Sequence, residues 1–198
     1  QLILGYAETL DVEPGSTNAE YVGQIAQSAT HAVNLTETAR NLSEALLRDQ
    51  DLEPIAVQPV LQSEVTDQRE QFPDASIDVD GSIPDVEVEA DPRFESVVRN
   101  LVANAVQHNP SPNPTVRIAA TAGDAAVSVR VADDGPGIPE SERDQIFERG
   151  YTGGESAGTG LGLHLVSTLV DQYGGTVAVE DADLGGAAFV LTLPTVEA

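Results

Sequence analysis

The segment TVRIAATAGDAAVSVRVADD, residues 115–134, alternates apolar and polar side chains and breaks once, at Gly123–Asp124. A period of two marks a strand with one buried face, and a Gly-Asp break between two such runs reads as a hairpin. A lone hairpin cannot bury its apolar face, so further strands and a covering layer are required. PIAVQ (54–58), ASIDVDG (75–81), DVEVEA (85–90), TVAVED (176–181) and AAFVLTLP (187–194) supply the strands. VLQSEVTDQREQF (60–72), RFESVVRNLVANAVQH (93–108) and GLHLVSTLVDQYGG (162–175) supply helices, with a short one expected over 139–146. Pro92 is read as sitting in the first turn of the second helix, with Asp91 as its cap. The mixture predicts an α/β sandwich in which helices cover one face of the sheet.

The first quarter of the chain has another period. From Thr17 to about Arg48, apolar or small residues recur at Val22, Ile25, Ala29, Ala32, Ala39, Leu42 and Leu46, one helical stripe. Residues 1–12 read as the end of an amphipathic helix closed by the EPGS turn, 13–16, without a helix-start signal, so the chain is expected to begin inside an element. Two helices joined by a short turn make an antiparallel hairpin whose stripe needs a partner. The polar tract RDQDLEP, 48–54, is the expected boundary, dividing residues 1–50 from 51–198.

Charge narrows the partners. Asp and Glu total 33 against nine basic residues, all of them Arg, for a formal net charge of −24. No basic patch is available for phosphate backbones, which speaks against nucleic acid. With 40% hydrophobic residues the chain is expected to fold. Its acidity is read as adaptation to concentrated salt, where a Debye length of about 3 Å at 1 M mutes self-repulsion. There is no cysteine, hence neither disulfide nor thiolate metal site. No apolar run approaches the roughly 20 residues of a membrane span. A cytoplasmic piece without direct membrane contact is the expectation.

Three segments carry chemistry. Asn100 and Asn104 lie four apart and face one side of their helix, as caps, surface amides, or neutral oxygen ligands suited to Mg²⁺. DDGPGIP (133–139) follows directly on a strand. It is an acidic turn, a cation loop or half of a nucleotide pocket, and the cation loop lacks its alternating oxygen ligands and closing Glu. GTGLGLHLV (158–166) sets glycines at alternate positions before an apolar helix, which leaves amide N–H groups for an anion. It is neither a P-loop nor the dinucleotide-binding spacing; a plain flexible connector is the alternative.

Taken in order, the Asn-pair helix, the strand into DxGxG, IFERG, and GxGxG into a helix resemble the N, G1, F and G2 boxes of the histidine-kinase ATP-binding domain. That domain shares a superfamily with gyrase, the heat-shock-90 chaperones and the MutL repair proteins. The resemblance spans about residues 54–194. It implies a two-layer α/β sandwich of the Bergerat type, a mixed sheet with helices on one face, preceded by the hairpin as part of a dimerisation and phosphotransfer domain. It implies ATP and Mg²⁺ as ligands, a homodimer formed through the hairpin, and a response-regulator receiver domain as partner. By position, Asp133 would take the adenine amine, with Gly135, Gly137 and Ile138 shaping the floor. Asn104 would hold Mg²⁺ and Asn100 would support phosphates or the ion's water shell. Phe147 would pack the root of the segment YTGGESAGTG, from which Arg149 and Tyr151 reach the nucleotide. Gly158, Thr159, Gly160, Leu161 and Gly162 would face the phosphates.

The departures from the family pattern are informative. Asp134 stands where the family often has Asn, and is expected to face solvent. Gln107 replaces a frequent Lys, removing one phosphate cation, and His108 beside it is a phosphate contact or a helix-end cap. Superfamily ATPases activate water with a Glu four residues before the metal-binding Asn; here Asn100 fills that place and cannot take a proton. The resemblance therefore implies phosphoryl transfer to an imidazole rather than hydrolysis. LILG (2–5) is similar to the tail of the phosphoacceptor helix, which puts that histidine just upstream of Gln1. His31 has no adjacent acid and reads as an ordinary hairpin residue, and His164 as a packed or exposed helix residue. The other functional classes are a nucleotide-binding dimer scaffold without transfer, and an ATP-hydrolysing or Ser/Thr-kinase cousin.

Overall fold

The computed structural model describes residues 10, 17–47, 51–151 and 160–196. Helix α1, Thr17–Leu47, lies against the last helix of the chain. Along its stripe Val22 and Ala29 are half-buried, while Ile25, Ala32 and Ala39 are exposed, as is Tyr21. The helix expected over residues 1–12 and the EPGS turn lie outside the described residues, Leu10 apart.

Among the described residues the rest of the chain forms strands β1 (Glu53–Ala56), β2 (Ser76–Val79), β3 (Glu87–Ala90), β4 (Thr115–Ala122), β5 (Ala126–Asp133), β6 (Thr176–Asp181) and β7 (Ala187–Pro194). Its helices are α2 (Val57–Gln71), α3 (Phe94–Gln107) and α4 (Gly162–Gln172). One sheet runs β2-β4-β5-β7-β6 and a two-stranded ribbon pairs β1 with β3. The β2–β4 pair is parallel and the other pairs are antiparallel, so the main sheet is mixed.

Alternation decides which face is covered. Val127, Val129 and Val131 of β5 share one face and stand in register with Leu193, Leu191 and Phe189 of β7. All six are buried, together with Val116 and Ile118 of β4. The opposite face carries Arg117, Arg130, Glu180 and Thr192 and is open to solvent to varying degrees. Onto the covered face α3 sets Phe94, Val97, Val98, Leu101, Val102 and Ala105, a stripe at helical spacing. From α4 come Leu165, Val166, Leu169 and Val170. Full burial of each Val or Leu contributes about 1.5–3 kcal/mol, so this layer is the main cohesive element.

Two buried carboxylates tie the helices to one another. Glu64 of α2, 1% exposed, accepts from Arg99 of α3 at 2.8 Å. Asp91, equally buried, accepts from the backbone N–H of Arg93 at 2.8 Å, from its guanidinium, and from the Tyr173 hydroxyl at 3.1 Å. Tyr173 also meets Phe94 edge-on at 6.4 Å, so the start of α3 is tied to the end of α4.

Several boundaries differ from expectation. Helix α3 begins at Phe94, after Pro92, and Asp91 serves the turn before it through Arg93 rather than capping the helix itself. Helix α2 starts at Val57, directly after a strand of four residues. In place of a helix over 139–146 there are two 3₁₀ turns, Glu140–Glu142 and Gln145–Phe147. No apolar stripe in SERDQIF supports a longer helix; only Ile146 is buried there.

Candidate functional site

Strand parity accounts for Asp133. It occupies the last position of the same face as Val127, Val129 and Val131, and is therefore drawn under the helical layer, 6% exposed. Its Oδ1 accepts from the backbone N–H of Gly135 at 2.8 Å and of Ala187 at 3.2 Å. Burial pushes its pKa above the ordinary aspartate value, against the pull of these two donors. Both contacts fall on one oxygen, which leaves Oδ2 for an incoming donor.

The turn after Asp133 is built from two sides. Gly186 donates to the Asp133 carbonyl at 3.2 Å, and a Cβ on Gly186 would stand 2.2 Å from Asp133 Oδ1. No side chain fits there without expelling the carboxylate. Gly137 adopts φ +73°, and Ile138 packs half-buried against the core, its carbonyl accepting from Arg143 Nε at 3.1 Å. Arg143 is in turn paired with Asp181 at the end of β6. Sequence reasoning missed Gly186, Ala187 and Arg143. The double glycine before AAFVLTLP was the one available signal, because the contacts join residues about fifty positions apart.

Asp134 corrects an expectation: it does not simply face solvent. It is half-buried and accepts from Asn109 Nδ2 at 2.6 Å and from the Thr115 backbone N–H at 2.8 Å. Burial would raise its pKa, but these hydrogen bonds outweigh it and hold the group below the usual range. The second aspartate is thus a clasp between the end of α3 and the first turn.

Helix α3 forms a wall shared by the glycine motifs. Asn100 Nδ2 donates to the Ser96 carbonyl at 2.7 Å, which aims Oδ1 away from its own helix. A Cβ on Gly162, the first residue of α4, would lie 2.8 Å from that Oδ1 and 4.0 Å from Asn104 Nδ2. The asparagine pair therefore faces the helix N-terminus that follows GTGLG. Five residues past Asn104, Asn109 reaches the DDGPGIP turn; a Cβ on Gly135 would stand 3.6 Å from its amide. At 1.5 Å per residue, Asn100 to His108 spans about 12 Å along this wall. His108 ends α3, exposed, its N–H donating to the Asn104 carbonyl.

The remaining residues frame the far end. Phe147 stacks edge-on to Phe189 at 6.4 Å, and Arg149 two positions on is exposed. The half-buried Tyr151 donates its hydroxyl to Glu142 at 2.7 Å, and that bond raises its pKa. The carbonyl of Gly160 accepts from Gly150 N–H at 3.1 Å, and a Cβ on Gly160 would stand 2.5 Å from the Gly150 backbone. Gly160 therefore has a closing role that the phosphate reading did not include. Leu161 precedes α4 and accepts from Leu165 at 2.8 Å. Gly158 and Thr159 lie outside the described residues.

Comparison with known proteins agrees with this geometry. The sequence model of the histidine kinase-, DNA gyrase B- and HSP90-like ATPases matches residues 89–197. The sensor-type histidine kinase PrrB of Mycobacterium tuberculosis is 30% identical over 189 residues, covering 94% of this chain and 42% of that protein, so the chain spans less than half the length of this relative. The solved ATP binding domain of M. tuberculosis PrrB superposes with TM-score 0.64 at 31% identity, over 75% of this chain and all of that one. Full-length ShkA, solved in complex with AMPPNP, gives TM-score 0.71 at 25% identity over 99% of this chain and 43% of that one. The chain belongs to the histidine kinase-, DNA gyrase B- and HSP90-like ATPases, and within them to the ATP-binding catalytic domains of sensor histidine kinases.

Proposed function

We propose that the chain holds Mg²⁺-bound ATP along α3 and donates the γ-phosphoryl group to a histidine on a helix upstream of Gln1, for relay to a response-regulator aspartate. The single observation that carries this reading is the orientation of Asn100 and Asn104 toward the start of α4. It sets the amide oxygen of Asn100, with the Asn104 amide beside it, next to the first residue of a helix terminus, a combination suited to a cation shared with phosphate oxygens. The donor set proposed for the ion is an asparagine amide oxygen together with phosphate oxygens. A divalent ion there would neutralise triphosphate charge, with Asn104 as its protein ligand.

The chain's own groups do the rest. Asp133 accepts the exocyclic amine of adenine on Oδ2, and Gly135, Gly137 and Ile138 line the base. Gly160, Leu161, Gly162, Arg149, Tyr151 and His108 surround the phosphates; Gly158 and Thr159 of the same motif, outside the described residues, are assigned to the phosphates by position in the sequence alone. Asn100 cannot deprotonate water, so the nucleophile is an imidazole nitrogen brought by the acceptor. Its lone pair forms the P–N bond, the bond from phosphorus to the β–γ bridging oxygen breaks, ADP leaves with that electron pair, and the imidazole releases its ring proton. Positioning and charge neutralisation are what such a transfer asks of a protein. Residues 1–50 act as part of a homodimeric helical bundle, residues 51–198 as the catalytic unit, in a cytoplasmic, high-salt setting. No helix among the described residues is long and apolar enough to cross a membrane.

The test is to incubate protein carrying the helix upstream of Gln1 with γ-labelled ATP and Mg²⁺. Acid-labile, base-stable label on the protein is expected. Steady release of inorganic phosphate without labelling would overturn transfer in favour of hydrolysis.

A further inference from the structure

His164 is a group the proposed function does not use. It sits on α4, two residues after Gly162, with its ring half-buried. Its Nδ1 lies 3.1 Å from the Phe147 carbonyl, and since a carbonyl only accepts, Nδ1 carries the proton and donates. That carbonyl is itself anchored, because the Phe147 ring stands edge-on to Phe189 of β7. At its other end His164 is built into α4 by its carbonyl, which accepts the hydroxyls of Ser167 at 3.0 Å and Thr168 at 2.8 Å.

The same helix thus supplies two things. Its first residue faces the asparagine pair, and two residues past that its imidazole grips the backbone two positions before Arg149. The second hold on this stretch comes from the same end of the chain: Gly150 N–H donates to the Gly160 carbonyl. Arg149 lies between the two holds, exposed and with no side-chain partner among the described residues. The position from which its side chain starts is therefore set by the backbone on either side.

We propose that His164 is a positioning residue: it fixes the 147–149 backbone to the N-terminal turn of α4, so that Arg149 meets the phosphates held by that same turn. This rests on the nucleotide reading above. It acts through Arg149 and touches no ligand itself.

The experiment titrates MgATP into the full chain, in molar salt, for wild type and for the variants H164A, H164N, H164Q, R149A and H164A/R149A. Asparagine places an N–H donor close to the position of imidazole Nδ1, whereas glutamine carries its donor out toward Nε2. H164A and H164Q are expected to lose about five- to tenfold in affinity, the size of one neutral hydrogen bond. H164N should stay within about twofold of wild type. In the R149A background H164A should cost nothing more, the non-additivity of residues acting as one unit. Equal affinities for H164N and H164Q, or additive losses in the double variant, overturn the proposal, and the H164N–H164Q pair decides it even where H164A does not fold. Wild type and R149A that bind while all His164 variants match wild type sink this inference alone. A folded wild type that does not bind removes the nucleotide reading beneath it.

Discussion

Asp133, proposed to take the adenine amine, carries a cost to stability. A carboxylate under a helical layer loses hydration, and two backbone N–H groups return only part of it, so its pKa lies above the ordinary aspartate range. For an acid with a raised folded pKa, the destabilisation is present above that pKa and relieved as pH falls through it. Mild acid should therefore ease the unliganded fold at this site while weakening nucleotide binding, starting above the usual aspartate range. Asp133→Asn should leave the thermal midpoint unchanged or raised, because its amide oxygen can still take the Gly135 and Ala187 donors. It should lose about 10- to 100-fold in ATP affinity, since its amide nitrogen opposes the adenine amine; calorimetry and thermal unfolding check both halves. The burial of Asp133 was legible from strand parity. Its neighbours Gly186 and Ala187 were not, because a turn fifty residues away leaves no local pattern. The clasp of Asp134 onto Asn109 and Thr115 was hidden for the same reason.

At the scale of elements, the tie between the start of α3 and the end of α4 holds the two walls of the site in place. Burial alone would raise the Asp91 pKa, but the Arg93 hydrogen bonds and charge, with the Tyr173 hydroxyl, bring it below the ordinary range. The stability it contributes is complete above the unfolded aspartate value and is lost as pH falls through the lower folded value. Asp91→Ala would take the carboxylate from the Arg93 guanidinium, only 8% exposed, and should cost about 3–5 kcal/mol in denaturant unfolding. Strands and long helices were legible because their periods differ, and β6 and β7 fall at the residues expected. The 3₁₀ turns were not, since SERDQIF has too few apolar residues to reveal any period. The asparagine pair was legible as one face of α3, but its destination was not, because Gly162 approaches from another helix.

Across the whole molecule the net charge of −24 opposes the proposed ligand, which is itself anionic. Nine arginines are the entire basic complement, and Arg69, Arg93, Arg99, Arg130 and Arg143 at least are paired with carboxylates. Screening on the order of 3 Å at 1 M salt should therefore raise affinity for MgATP, the reverse of the trend for a basic site. One chain is expected to bind one magnesium-bound purine triphosphate between α3 and the two glycine turns. The most direct test is isothermal calorimetry of the folded wild-type chain with ATP, in molar potassium chloride and excess magnesium. A saturable heat with one site per chain, tighter than at 0.1 M salt, is expected; no heat and no saturation under those conditions would rule such binding out.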